Sequence, residues 1–217
     1  MRVTAEALFQ IEREHRARGM ARLAGVDEAG RGPLAGPVVA AAVVLPEEWF
    51  STGLPDSLAG LNDSKQVNEG DRKRWFGVLT SGQGIEFGVG IVTAEEVDRV
   101  NILQATHQAM REALAGLEPR ADHALVDGRP VPMLGTQQTA LVKGDSRSYS
   151  IAAASIVAKV TRDRMMLEFH ERWPMYGFAG HKGYGTAAHL AAIAAHGPCP
   201  IHRRTFAPLR AEQQELL

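Results

Sequence analysis

A chain of 217 residues with 45% hydrophobic and 23% charged residues has the composition of a folded protein, not a disordered one. Its length suits one domain, or one domain with an appendage. No apolar run approaches the ~20 residues that cross a bilayer, residues 1–22 hold no secretory h-region, and the single cysteine, Cys199, excludes an intrachain disulfide. A cytoplasmic home is expected. The net charge of −1 conceals an asymmetry: residues 1–142 carry 14 Lys+Arg against 19 Asp+Glu, and residues 143–210 carry 10 against 4. A basic C-terminal third beside an acidic body suggests an acidic partner, nucleic acid first, although a solvated charged face has the same composition.

In chain order, residues 4–18 are rich in Ala, Leu, Glu and Arg and predict a short polar helix. Residues 23–26 predict a strand running into the turn Ala29-Gly30-Arg31-Gly32-Pro33. The eight apolar residues 38–45, between Pro37 and Pro46, predict a fully buried strand beside it. Residues 51–64 read as a loop and 69–80 as a helix. Ile85, Phe87, Val89 and Ile91 alternate with Glu86, Gly88 and Gly90, the pattern of a half-buried strand. Thr93-Ala94-Glu95-Glu96 fits a capping box. Val97, Val100, Leu103, Met110, Leu114 and Leu117 then recur at helical spacing until Gly116 and Pro119 end the helix. Residues 124–126 and 139–142 predict short strands, 148–172 a long Ala-rich helix stopped by Pro174, and 186–196 a further helix. The expected fold is α/β, a mixed central sheet flanked by helices with a helical C-terminal part.

The carboxylates fall at strand ends. Asp27-Glu28 follows the first strand, Asp127 ends another, and Asp145 follows a third. Acids at the C-terminal rim of an open α/β sheet stand where ligands bind. Several converging there repel one another unless a cation neutralises them, and hard oxygen donors suit Mg²⁺ or Mn²⁺. Each acid also has a structural reading. Asp127-Gly128 is a common turn pair, and Asp145 could cap the helix after it. Asp27-Glu28 is harder to explain by packing, because adjacent carboxylates repel.

Other segments carry charge or aromatic surface. Gly30-Arg31-Gly32 lets backbone N–H groups approach a ligand and adds a guanidinium. Lys143-Gly144-Asp145-Ser146-Arg147 precedes a helix N-terminus and makes a plausible phosphate-facing edge. Tyr184, between Gly183 and Gly185 in the basic region, is expected to be exposed and available for stacking, or to be a plain loop residue. His196, Cys199 and His202 are closely spaced, but with no fourth partner they make a poor zinc site. The P-loop pattern and the G-x-S-x-G elbow are both missing from the sequence.

These motifs together resemble a known family. Residues 24–39, AGVDEAGRGPLAGPVV, resemble the opening motif of bacterial ribonuclease HII, the type 2 ribonuclease H. Asn62-Asp63-Ser64-Lys65, Asp127-Gly128, Lys143-Gly144-Asp145, residues 150–163 and His181-Lys182-Gly183-Tyr184-Gly185-Thr186 resemble its later motifs, in family order. The resemblance implies a ribonuclease H-like fold with an N-terminal extension (1–21), a catalytic domain (22–172) and a C-terminal helical segment that contributes to substrate binding (173–217). It implies an endonuclease of ribonucleotide repair and replication, cutting RNA in RNA–DNA hybrids and single ribonucleotides in duplex DNA. Asp27, Glu28, Asp127 and Asp145 would hold two Mn²⁺ or Mg²⁺ ions. Gly30, Arg31 and Gly32 would sense the ribose 2′-OH and the scissile phosphate, and Tyr184 would stack on the sugar at the junction. Asp163 lies in a family motif but well along a helix, and is not expected to be a ligand. Lys65, Lys143, Ser146, Arg147 and Lys182 would contact the nucleic acid without reading its sequence. The expected protein is a monomer with no membrane partner. A resolvase-type DNA endonuclease would gather similar acids without needing a motif for the 2′-OH. A structural nucleic-acid-binding module would not need four acids, and an actin-like or sugar-kinase-like ATPase normally needs a larger, two-lobed chain.

Overall fold

A computed structural model describes residues 8–62, 64 and 67–210. Five strands among them form one sheet: β1 (Leu23–Ala29), β2 (Val38–Val44), β3 (Glu86–Val92), β4 (His123–Asp127) and β5 (Gln137–Leu141), in the order β3-β2-β1-β4-β5. β1 pairs antiparallel with β2, and β2 with β3, whereas β1–β4 and β4–β5 are parallel. This is the mixed sheet that the sequence predicts. The helices are α1 (Gln10–Arg16), α2 (Trp49–Thr52), α3 (Glu69–Ser81), α4 (Ala94–Val100), α5 (Ile102–Ala115), α6 (Tyr149–Arg172), α7 (Phe178–His181) and α8 (Ala187–His196).

β1 and β2 are covered on both faces, which accounts for their near-continuous apolar runs. On one face Leu23, Ala41 and Val43 pack with Ala152, Ala153 and Ile156 of α6 and Trp75 and Leu79 of α3. On the other, Ala24, Val26, Ala40 and Ala42 pack with Ala105, Ala109 and Ala113 of α5. A third, smaller core joins Leu34 and Met166 to Tyr176, Phe178, Ile193 and Cys199, seating the C-terminal segment against the end of α6. No helix among the described residues is long and apolar enough to cross a membrane.

The small residues set how close helix and sheet come. A Cβ on Gly25 would stand 2.0 Å from the Ser150 carbonyl carbon, and one on Gly90 2.0 Å from the Ala109 carbonyl oxygen. This approach decides which face of β3 is the more deeply buried. In β3 the residues facing α5 are Gly88, Gly90 and Val92, while Phe87 and Ile91 are exposed. The alternation marks the strand correctly, but backbone contact with α5 selects the glycine face as the buried one.

Other boundaries differ for local reasons. The helix expected from Thr93 onward breaks at Asn101, whose φ of 70° interrupts it. The Asn101 side chain accepts from the N–H groups of Leu103 and Gln104 and so restarts the helix as α5. Thr93 does cap α4, accepting from the Glu96 N–H. The loop at 51–64 contains the end of α2 and a 3₁₀ turn, Asp56–Leu58. β1 runs to Ala29 because Asp27 and Glu28 pair with Ala41 and Ala40 of β2, so both acids lie within the strand and not beyond it. Of the N-terminal helix, residues 1–7 lie outside the described residues, as does the tail 211–217.

Glycines in contact and glycines in open space should respond oppositely to a methyl group. Gly90→Ala forces apart β3 and α5 and is expected to lower stability by about 1–3 kcal/mol in urea melts. Gly77→Ala, in α3 with nothing within 4 Å of the added Cβ, should raise it by about 0.5–1 kcal/mol.

Candidate active site

β1 and β4 run parallel and side by side, with Val26 opposite Val126, so their C-terminal ends reach one rim. Asp27 and Asp127 are the next residues, and both project toward the α6 face, as do Gly25 and Leu125 before them. Asp145 arrives from a 3₁₀ turn, Gly144–Ser146, just after β5. The turn is made by Lys143 in the left-handed region (φ 56°, ψ 44°). Asp145 does not cap α6; that role belongs to Ser148, whose hydroxyl oxygen accepts from the Ile151 N–H at 3.2 Å.

One carboxylate oxygen from each of Asp27, Asp127 and Asp145 lies within 4.8 Å of the others. Backbone amides hold two of them: Glu28 N–H donates to Asp27 Oδ1 at 2.7 Å, and Gly144 N–H to Asp127 Oδ1 at 2.6 Å. Burial holds the Asp27 carboxyl well above the usual carboxylate range, and the neighbouring charges of Glu28, Asp127 and Asp145 push it the same way. Three oxygen donors this close, two of them on buried residues, fit a hard divalent cation such as Mg²⁺ or Mn²⁺.

Glu28 stands apart from this trio. Successive residues of a strand face opposite sides, so Glu28 projects toward the α5 face beneath Ala24 and Val26. It accepts from Arg31 Nη1 at 3.3 Å and borders a depression of about 660 Å³ that also takes in Thr106, His107, Asp127 and Arg129. The four sequence-predicted acids therefore divide into a cluster of three and one flanking carboxylate.

Beside the acids opens a cleft of about 360 Å³ lined by Glu28, Gly30, Arg31, Gly32, Lys159, Arg162 and Tyr184, among others. Tyr184 is 48% exposed, and its ring edge comes 3.6 Å from where a Gly32 Cβ would stand. The Gly30-Arg31-Gly32 turn and the tyrosine, 152 residues apart in sequence, thus form one wall. Lys143 and Arg147 are exposed on the Asp145 loop, whereas the Ser146 hydroxyl is engaged internally, donating to the Lys143 carbonyl at 2.9 Å. Lys182 turns to the Ala179 carbonyl and lines a separate depression with Glu69 and Asp163. Lys65 lies outside the described residues.

Lys159, Arg162 and Ser155 line the cleft without having been singled out in the sequence. They recur at i, i+4 and i+7, a polar stripe on an otherwise Ala- and Val-rich helix, and that spacing was the available signal. Asp163 is ion-paired with Lys159 at 2.6 Å and stands outside the acid trio. Cys199 and His202 belong to the C-terminal core. His202 Nδ1 lies 2.9 Å from the Cys199 N–H, and its Nε2 faces His189 Nε2 at 3.0 Å. Burial pulls the His202 imidazole down to about 4, and His196 sets its ring edge against Tyr176.

The N-terminal segment reaches the site from behind. The buried Glu12 carboxylate accepts from the Ser148 hydroxyl at 2.6 Å and from the Ser150 N–H at 3.1 Å, tying α1 to the start of α6 just beyond Asp145.

A mixed sheet in this order, with carboxylates gathered on its rim, is the framework of a ribonuclease H-like nuclease. The chain matches ribonuclease H2 from Pyrococcus horikoshii OT3 with a TM-score of 0.74 at 29% identity, covering 89% of this chain and 98% of that one. It matches a chain of the PCNA:RNase HII complex from Archaeoglobus fulgidus with a TM-score of 0.67 at 26% identity, covering 84% and 93%. The family model described as ribonuclease HII matches residues 24–209. Ribonuclease HII of Syntrophotalea carbinolica is 56% identical over 193 residues, 88% of each chain, and that of Geobacter sulfurreducens 55% over 205 residues, 94% of this chain and 90% of the relative. The chain belongs to the ribonuclease HII family and is a metal-dependent endonuclease of the ribonuclease H type.

The crowding around Asp27 sets a pH dependence. Its folded-state pKa lies above the ordinary ~3.9 of an unfolded aspartate. As pH rises past ~4 the unfolded chain gives up this proton while the folded chain still holds it, so stability without metal is lost with rising pH. The melting temperature of Asp27→Asn minus that of wild type, in EDTA, should therefore widen from pH 4 to pH 7. Saturating Mg²⁺ or Mn²⁺ should narrow the gap by stabilising wild type. A gap that shrinks with rising pH would contradict the crowding of Asp27.

Proposed function

We propose that this enzyme cuts the RNA strand of RNA–DNA hybrids and single ribonucleotides embedded in duplex DNA, leaving 3′-hydroxyl and 5′-phosphate ends. The observation that carries the reading is the continuity of β1 with the cleft: Asp27 of the acid trio and the Gly30-Arg31-Gly32 turn are three residues apart, and Tyr184 completes the wall. A scissile phosphate held at the trio has its ribose beside that turn.

On this reading Asp27, Asp127 and Asp145, with Glu28 from the other face, hold two Mg²⁺ or Mn²⁺ ions. Ions bound there supply charge stabilisation to the phosphate and lower the pKa of an attacking water. The protein supplies position. Amides of the Gly30–Gly32 turn approach the 2′-hydroxyl, the group that separates RNA from DNA at one site. The Tyr184 ring packs against the sugar that follows, and Lys65, Lys143 and Arg147 contact the backbone without reading bases, joined by Ser146 and Lys182 once substrate displaces their bonds to the Lys143 and Ala179 carbonyls. Residues 22–172 form the catalytic domain and 173–217 bring Tyr184 and basic surface to the substrate, while 1–21 are an N-terminal extension. The enzyme acts as a cytoplasmic monomer in ribonucleotide excision repair and DNA replication.

A duplex carrying one ribonucleotide should be cut on the 5′ side of that residue with Mg²⁺ or Mn²⁺ and not with EDTA. Equal cutting of an all-DNA duplex would instead indicate a resolvase-type nuclease. Asp127→Asn should nearly abolish turnover with the fold retained, as judged by circular dichroism. Tyr184→Ala should lose about tenfold or more on the single ribonucleotide, in line with the ~1–3 kcal/mol of an aromatic contact, and Tyr184→Phe should lose much less. Equal damage from both substitutions would replace stacking with a role for the hydroxyl.

A further inference from the structure

Behind the Gly30–Pro37 turn lie two buried guanidinium groups whose hydrogen bonds among the described residues all go to backbone carbonyls. Arg203, 0% exposed, donates through Nη2 to Gly30 O at 2.6 Å and Gly36 O at 2.8 Å. Its Nη1 donates to Arg31 O and Pro33 O, both at 3.0 Å, and its Nε to Gly36 O at 3.0 Å. Arg162, 1% exposed, donates to Pro37 O at 2.9 Å, Ala35 O at 3.0 Å and Lys182 O at 3.1 Å. Gly30 and Gly36 have φ of 97° and 89°; a Cβ on Gly30 would stand 2.2 Å from Arg162 Nε, and one on Gly36 would stand 2.4 Å from Met166 Sδ and 3.2 Å from Arg162 Nη2.

Burying a charge without a carboxylate is costly, and here five carbonyl contacts to one guanidinium offset that cost. Their placement has a consequence for the turn. In a trans peptide the carbonyl of one residue and the N–H of the next point in opposite directions. Gly30 and Arg31 turn their carbonyls inward to Arg203, so the N–H groups of Arg31 and Gly32 point away from it. Gly30 and Pro33 are buried, whereas Arg31 and Gly32, between them, are exposed and line the cleft. Arg162 also grips the Lys182 carbonyl, coupling the turn to the loop that carries Tyr184.

We propose that Arg203 is a positioning residue for substrate discrimination: with Arg162 it locks the carbonyls of the Gly30–Gly36 turn inward, which fixes the Arg31 and Gly32 amides at the angle from which they read the 2′-oxygen of the substrate. This rests on the reading given under Proposed function. Burial pulls Arg203 down to about 9 and Arg162 to about 10, so both stay charged at neutral pH. Lysine keeps the charge but offers one point donor in place of the planar fork, and cannot span the carbonyls of Gly30, Arg31, Pro33 and Gly36.

The test compares wild type and Arg203→Lys on duplexes carrying a single ribonucleotide or a single 2′-fluoro nucleotide, with Mn²⁺. The rate ratio between the two substrates does not depend on the fraction of enzyme folded, which a merely structural arginine would change. It should fall at least tenfold in Arg203→Lys; a displacement of ~1 Å in a reacting group costs ~100-fold. Mn²⁺ affinity, measured by calorimetry, should stay within about threefold of wild type, because the acid trio lies outside the clamp. A folded Arg203→Lys with an unchanged ratio overturns the proposal. If that variant does not fold, Arg162→Lys is measured in the same way, and failure of both to fold assigns the arginines to the fold alone, which also overturns it. A wild type that cuts neither substrate refutes the functional reading itself, an outcome distinct from the loss of discrimination in the variant.

Discussion

Parallel pairing of β1 with β4 is the constraint on which the site depends. It brings Asp27 and Asp127 to one rim on the same face of the sheet, and the turn after β5 adds Asp145 within 4.8 Å. Carboxylates so placed repel, and burial of Asp27 adds a desolvation cost to the repulsion. The surrounding structure has to hold the arrangement against that tendency. It does so with backbone: amide donors at Glu28 and Gly144, the left-handed turn at Lys143, and a helix packed so closely on Gly25 that no side chain fits between.

The strand period then divides the work of β1. One face gives Asp27 to the acid trio and the other gives Glu28 to the depression beside α5, while the end of the strand continues into the Gly30–Gly32 turn. Acid centre and cleft wall are therefore consecutive stretches of one strand. Arg203 holds the carbonyls of that turn, Arg162 those of Ala35 and Pro37 just beyond it, and backbone bonds from Leu34 to Gly183 and from Gly36 to Ile201 tie the same stretch to the C-terminal segment. The acidic body and the basic C-terminal third meet at this line.

The helical C-terminal segment is built around the third, smaller core and is not a loose appendage. Tyr176 and Phe178 stack with ring centroids 5.4 Å apart, His189 and His202 pair beneath them, and His189 Nδ1 lies 2.9 Å from the Tyr184 carbonyl. Aromatic and imidazole packing thus holds the tyrosine's backbone while its ring stays in solvent. At the other end of the chain, Glu12 of α1 closes the start of α6.

The sequence by itself determined the elements and the candidate chemistry. Apolar runs bounded by proline marked β2, strand-end acids marked the rim, and capping residues such as Thr93 marked helix starts, because these depend on near neighbours in the chain. Tertiary structure decided what depends on approach between distant segments. Nothing local shows that Gly88 and Gly90 form the buried face of β3, since the reason is the α5 backbone lying against them. The separation of Glu28 from the other three acids follows from strand register and sheet face, which adjacency in sequence conceals. Arg162 and Arg203 read as ordinary basic residues until the fold buries them against carbonyls up to 173 residues away. A guanidinium shows its role only through the partners the fold brings to it.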